Sequence, residues 1–293
     1  MPQRIEDVEV VVDGVRSPVA VAGDPSASEA VVFVHGNPGA GRDWSDLIGK
    51  VAPFARAVAP DMPGYGGADK PRGFDHSAAG YGRHLDGVLG QLGVERAHLV
   101  LHDFGGLWGL EWALQNPAAV GSVTLLGIGV FDGYRWHRWA QLWRTRGIGE
   151  LLNYGTPRLV ARMLLARENP LLPPERADLL ARRMSVFGTR RAILACYRAT
   201  PPEMYDVRPT PHGPVPRAHL LRELDLPALV LWPTEDDYVP FQPDYQRTAF
   251  PSARIELFGG YGHWFQWEAP ERVAAFVVPF LRDQVETTRS VKA

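Results

Sequence analysis

The stretch His98-Leu99-Val100-Leu101-His102-Asp103-Phe104-Gly105-Gly106 decides the fold. Its first half is a short apolar run, as expected of a strand buried on both faces. Beyond it Leu107, Leu110 and Leu114 recur at helical spacing until Asn116-Pro117 ends the pattern. A chain that passes from strand to helix around one residue turns tightly and needs small residues immediately afterwards, which Gly105 and Gly106 provide. Such a turn lifts the Asp103 side chain above the sheet edge. It also leaves the next backbone N–H at a helix N-terminus, suited to an oxyanion. The plainer alternative is that Asp103 caps the helix.

Working outward, the same kind of run recurs. Val8–Val12 and Val19–Ala22 read as early strands around a turn that begins at Asp13-Gly14. Ala30–Val34, Arg56–Ala59, Ser122–Leu126, Ala228–Trp232 and Arg254–Phe258 read as further strands. Between them Tyr81, Leu85, Val88, Leu89 and Leu92 share a helical face before Gly93. Val273, Phe276, Val277, Phe280 and Leu281 mark a last helix, opened by Pro270 and expected to kink at Pro279. Strands alternating with helices imply a mostly parallel, doubly wound α/β sheet. The alternation breaks over 131–222, a stretch rich in Arg, Trp, Leu and Pro. It is expected to be a helical cap inserted into a core of 1–130 and 223–293. Trp136, Trp139 and Trp143 fall at helical spacing there, as do Leu159, Met163 and Leu164. Packing is the ordinary reading of such stripes, with some members free to line a pocket.

The bulk properties exclude several classes. A net charge of −2 and a pI near 6.5 carry no basic footprint for nucleic acid. The single cysteine, Cys196, excludes an internal disulfide framework and a cysteine-based zinc site. Met1 to Asp13 lacks a long apolar run, so no signal peptide is expected, and no stretch is long and apolar enough to predict a membrane span. The expectation is a cytoplasmic enzyme that uses no cofactor or metal.

Three other segments join Asp103. Val31–Val34 ends in His35-Gly36-Asn37-Pro38-Gly39, either a plain turn or part of a site, with His35 read as structural. Leu229–Trp232 is followed by Glu235-Asp236-Asp237 and then Val239-Pro240; Asp236 fits best as an orienting acid, ahead of Asp237 and Glu235. Gly259-Gly260-Tyr261-Gly262-His263-Trp264 presents His263 just past the last strand. The chain order is then nucleophile, acid, base.

Together these segments resemble the α/β-hydrolase superfamily over essentially the whole chain. Asp61-Met62-Pro63-Gly64-Tyr65-Gly66-Gly67-Ala68 adds a loop typical of that family, with Ala68 where serine is usual. His-Asp-aromatic-Gly-Gly together with Gly-His-Trp is similar to the branch that holds epoxide hydrolases and haloalkane dehalogenases. The resemblance implies that Asp103 attacks carbon to form an ester, and that His263, oriented by Asp236, then activates water. It implies that the N–H groups of Asn37 and Phe104 form the oxyanion hole. A small apolar organic molecule and water are the expected partners, with epoxide opening the first expectation and halide displacement the second. A non-hydrolytic binding or cyclisation role is a third. Asn37 matches the dehalogenase pattern, but Phe104 lacks the N–H of the tryptophan usual there. Phe104 and Leu107 also exclude the fluoroacetate type, which carries arginines at those positions. Among Tyr134, Tyr154, Tyr197 and Tyr205, the segment around Tyr197 resembles the late-cap segment of epoxide hydrolases. Tyr197 is the first candidate proton donor and Tyr154 the second.

Overall fold

The computed structural model describes residues 4–292, so the first three residues of the expected leader-free N-terminus, Met1–Gln3, and also Ala293 lie outside the described residues. The strands are β1 (Glu6–Val12), β2 (Val15–Ala22), β3 (Glu29–Val34), β4 (Arg56–Pro60), β5 (Arg96–His102), β6 (Val120–Leu126), β7 (Val207–Arg208), β8 (Val215–Pro216), β9 (Ala228–Pro233) and β10 (Arg254–Phe258). All but β7 and β8 form one sheet in the order β1-β2-β4-β3-β5-β6-β9-β10. The ladders β1/β2 and β2/β4 are antiparallel and every later pair is parallel. Every strand expected from the sequence is present. β7 and β8 are an addition that the sequence did not announce. They are two residues each and pair only with one another, bridging the turn at Pro209–Gly213.

The apolar runs explain the two-sided burial. Alternate residues of β3 point to opposite faces, Val32 and Val34 to one and Val31 and Phe33 to the other. Helices α1 (Ser45–Val51), α2 (Ala78–Gln91) and α3 (Phe104–Gln115) follow β3, β4 and β5, and α12 (Pro270–Lys292) closes the chain. Helices α2 and α3 cover the Val32 face, α1 and α12 the Phe33 face. Pro279 lies inside α12.

Between β6 and β9 come α4 (Arg138–Arg144), α5 (Ile148–Gly155), α6 (Arg158–Glu168), α7 (Pro174–Ser185), α8 (Phe187–Ala199) and α9 (Arg217–Arg222). Short helices α10 (Gln246–Ala249) and α11 (Phe265–Glu268) complete the chain. Charge ties this helical layer to the sheet layer. Glu111 of α3, 4% exposed, accepts from Arg217 and from Arg208 at 2.9 Å each. Arg183 of α7 forks onto both oxygens of Asp43 at 2.7 Å. Leu159 and Met163, expected to pack, are instead 61% exposed, because α6 turns only its other face inward. Among the described residues no helix is long and apolar enough to cross a membrane.

Candidate active site

Register brings the site together. In the parallel pair β3/β5, Val34 lies opposite Leu101, so the chain leaves both strands side by side and places Asn37 next to Asp103. This is also where the sheet order reverses: β4 lies on one side of β3 and β5 on the other, opening a crevice at the strands' C-terminal ends. Asp236 follows β9 and His263 follows β10, the next strand out.

Asp103 sits at φ 54°, a left-handed conformation that a side chain seldom adopts, and its carboxylate makes no capping bond to α3. The plain capping role is therefore excluded. The close approach explains two of the glycines. A methyl group at Gly36 would collide with the Asp103 carboxylate, and one at Gly105 with the carbonyl oxygen of Val34. The carboxylate instead faces inward: Oδ1 accepts the Asn37 N–H at 2.6 Å and Oδ2 lies 3.4 Å from His263 Nε2. On the other side of the ring, His263 Nδ1 meets Asp236 Oδ2 at 2.8 Å. Asp236 Oδ1 is held by the N–H groups of Tyr238 and Val239, at 2.7 and 3.1 Å. Neither Asp237 nor Glu235 makes that contact; Glu235 instead accepts from the Thr234 hydroxyl.

The charges follow from this geometry. Burial disfavours a charged His263, but Asp236 and Asp103 together outweigh it and raise the imidazole to about 10. Burial likewise opposes ionisation of Asp103, and the hydrogen bond and charge of His263, with His102 and the Asn37 N–H, hold it below the usual carboxylate range. At neutral pH the raised imidazole therefore keeps its proton beside an ionised Asp103. His35 is structural, as expected: its Nε2 accepts the Met62 N–H at 2.9 Å.

Above the triad lies a cavity of about 110 Å³ whose walls come mostly from the helical layer. Tyr197 lines it, its ring edge-on to Phe104 at 5.0 Å. His137 Nδ1 accepts the Ala140 N–H at 3.4 Å, which places the ring proton on Nε2, 3.3 Å from the Tyr197 oxygen. In this tautomer the Tyr197 hydroxyl hydrogen is free to face the cavity. Burial raises the Tyr197 phenol well above its ordinary range and lowers His137 to about 4, so both are neutral. Tyr154 is a correction. It is 36% exposed, packs at a tilt against Phe187 on the outside of α5 and does not line the cavity, because its neighbour Asn153 takes the inward position. His137 and Tyr238 reach the cavity without having been singled out from sequence. Tyr238 was hidden inside the acid-bearing loop, and nothing in the local pattern marks His137. Trp136, Trp139 and Trp143, read as packing, all line it.

The chain matches the profile of the Alpha/beta hydrolase family over residues 31–276 and belongs to that family. Among characterised relatives, a 2-hydroxy-6-oxononadienedioate/2-hydroxy-6-oxononatrienedioate hydrolase from Burkholderia vietnamiensis is 30% identical, the match covering 94% of each chain. A 2-hydroxy-6-oxo-6-phenylhexa-2,4-dienoate hydrolase from Comamonas testosteroni is 27% identical over 87% of this chain and 88% of its own. A solved loop variant of the haloalkane dehalogenase DbeA from Bradyrhizobium elkanii superposes with a TM-score of 0.79 at 20% identity, covering 97% of this chain and 99% of that one, a likeness of fold alone. These relatives overturn the expectation of epoxide opening or halide displacement. Their named substrates carry a ketone and neither an oxirane nor a carbon–halogen bond. The aspartate at the turn suggested displacement at saturated carbon, but the wider sequence aligns with hydrolases of ketones.

Proposed function

We propose that this protein hydrolyses a carbon–carbon bond next to a ketone in a small, largely apolar molecule, with Asp103 as the attacking group. Residues 131–222 act in this reading as a cap domain over the core. The observation that carries it is the poise of Asp103: an ionised carboxylate at the floor of an aromatic cavity, one oxygen on a backbone N–H and the other beside a protonated histidine.

In the first step Asp103 Oδ2 bonds to the ketone carbon and the carbonyl electron pair moves onto oxygen. The N–H groups of Asn37 and Phe104 receive that oxyanion, the latter having no acceptor within its helix because it opens α3. Collapse breaks the carbon–carbon bond, and the departing carbon, stabilised by conjugation, takes the proton of His263. An acyl group remains on Asp103. With the Asp103 charge gone, His263 loses one of the two anions that raised it and becomes a base. It removes a proton from water as the water oxygen attacks the acyl carbon, and Asp103 leaves as carboxylate. The sum is ketone plus water giving a carboxylic acid and a protonated fragment.

The test is cleavage of 2-hydroxy-6-oxo-6-phenylhexa-2,4-dienoate, followed by loss of its dienolate absorbance and formation of benzoate. Turnover by the native enzyme and none by Asp103→Asn is the expected result. Full activity in Asp103→Asn would remove Asp103 from the chemistry, and an inert native enzyme across a panel of such ketones would remove the substrate class.

A further inference from the structure

The wall that carries Asn37, Asp103 and His263 borders a second cavity, of about 20 Å³, whose remaining sides come from the core. Trp44 and Gln266 line this smaller space and do not line the larger one. Four polar atoms on its lining residues are buried without a hydrogen-bond partner: Trp44 Nε1, Gln266 Oε1, and both Nδ2 and Oδ1 of Asn37. Buried polar atoms are overwhelmingly paired, so this concentration at one small space points to a ligand. Trp44 is 3% exposed, and its indole nitrogen can only donate, whereas Gln266 Oε1 can only accept.

Size and charge decide what fits. A space of this volume admits one water molecule, for which roughly 10–15 Å³ suffices, and no organic group. On the same walls the Asp103 charge faces that of His263 and the Asp43 carboxylate is already paired with Arg183, so the space offers no unpaired charge for an ion. Among the described residues no cluster could hold a metal ion. A neutral molecule that both donates and accepts is left.

We propose that this cavity is a single-water site, held by Trp44 and Gln266, and that it supplies the water which His263 activates. The second half rests on the acyl-enzyme reading above. His263 and Asp103 line this space as well as the larger cavity, so the water need not enter through a cavity already filled by substrate and acyl group. From there its oxygen bonds to the acyl carbon, its proton passes to His263 Nε2, and the bond to Asp103 Oδ2 breaks with the electron pair staying on the carboxylate.

Two measurements test the proposal. The first needs no substrate: a high-resolution crystal structure of the native protein should show one water within about 3.2 Å of both Trp44 Nε1 and Gln266 Oε1. Trp44→Phe, which keeps the ring and removes the donor, should lose or displace it. A dry cavity in the native protein, or an unchanged water in Trp44→Phe, overturns the site. The second follows one turnover of the ketone by rapid mixing in the native enzyme, Trp44→Phe and Gln266→Leu. Release of the carbon fragment should keep its native rate, while decay of the acyl-enzyme slows about tenfold in each variant. Unchanged decay, or equal slowing of both phases, overturns the supply role. A native enzyme that forms no acyl species would instead defeat the acyl-enzyme reading and the supply role with it, while the crystallographic result still decides the site.

Discussion

The sheet edge and the helical layer above it contribute facing halves of one cavity, yet they are built on different logic. At the sheet edge Asn37, Asp103, Asp236 and His263 each follow the end of a strand, and strand register sets their spacing. In the helical layer the side chains that line the cavity sit on helices and loops oriented by packing and by a few ion pairs, not by strand register. The two tyrosines proposed from sequence show the consequence: Tyr197 reaches the cavity, while Tyr154 turns outward. The lesson is that chemistry placed by strand ends is robust to the surrounding sequence, whereas substrate contacts placed by an inserted layer follow its packing. Substitutions at the sheet edge should therefore be catastrophic, and those in the helical layer graded.

The largest effect is expected at Asp103. Replacement by alanine should lower kcat on the order of 10⁴-fold or more while the far-ultraviolet dichroism keeps its native form. Asp236→Asn comes next, since it leaves the ring in place but removes the charge that holds the Nδ1 proton. A loss on the order of 10³-fold in kcat, read in the steady state, is expected. If Asp237→Asn were the more damaging, the acid would be misassigned.

The joint between the two layers can be broken separately. Glu111→Ala leaves Arg217, fully buried, without its anion, and breaking such a pair costs about 3–5 kcal/mol. Urea unfolding should show that loss. A change below about 1 kcal/mol would mean that the ion pair contributes little to joining the layers.

The pH dependence of the acylation step is expected to be flat through neutrality. Its rate should fall about tenfold per unit as pH rises through about 10, where His263 loses its proton, and again in acid where Asp103 gains one. Stability shares the alkaline limb. Because His263 is raised on folding, its contribution is complete below the unfolded value of about 6.5 and is lost as pH rises through about 10. An acylation rate that instead rises with an apparent pKa near 6–7 would show that His263 acts first as a base.

The smallest effects separate the tyrosines. Tyr197→Phe should slow turnover about tenfold through loss of one hydrogen bond to the substrate, and Tyr154→Phe should leave kcat/KM unchanged. The reverse order would mean that the layer moves substantially when substrate binds.

Much of this was legible in the sequence for physical reasons. The β3, β5, β9 and β10 runs were readable because a strand buried on both faces is continuously apolar. Asp103 was readable because the two glycines after it suit only a tight turn. The place of Asp236 beside His263 was readable from its position just after a strand end and four residues before Pro240. The direction of each helix face in 131–222 was not legible: Asn153 and Tyr154 are adjacent on α5, and only packing against Arg190 of α8 decides that the former turns inward. The reaction was misread because an aspartate at the turn speaks for a carboxylate that attacks, and leaves the type of carbon attacked to the whole pocket.

The most direct measurement of the central claim is acid quenching of a single turnover of the phenyl-substituted dienoate within milliseconds, followed by peptide mass spectrometry. A benzoyl group on the peptide that contains Asp103, appearing with the released carbon fragment and decaying as benzoate forms, is the predicted result. Benzoate that forms at the same rate as the carbon fragment, with Asp103 unmodified at every time point, would contradict it.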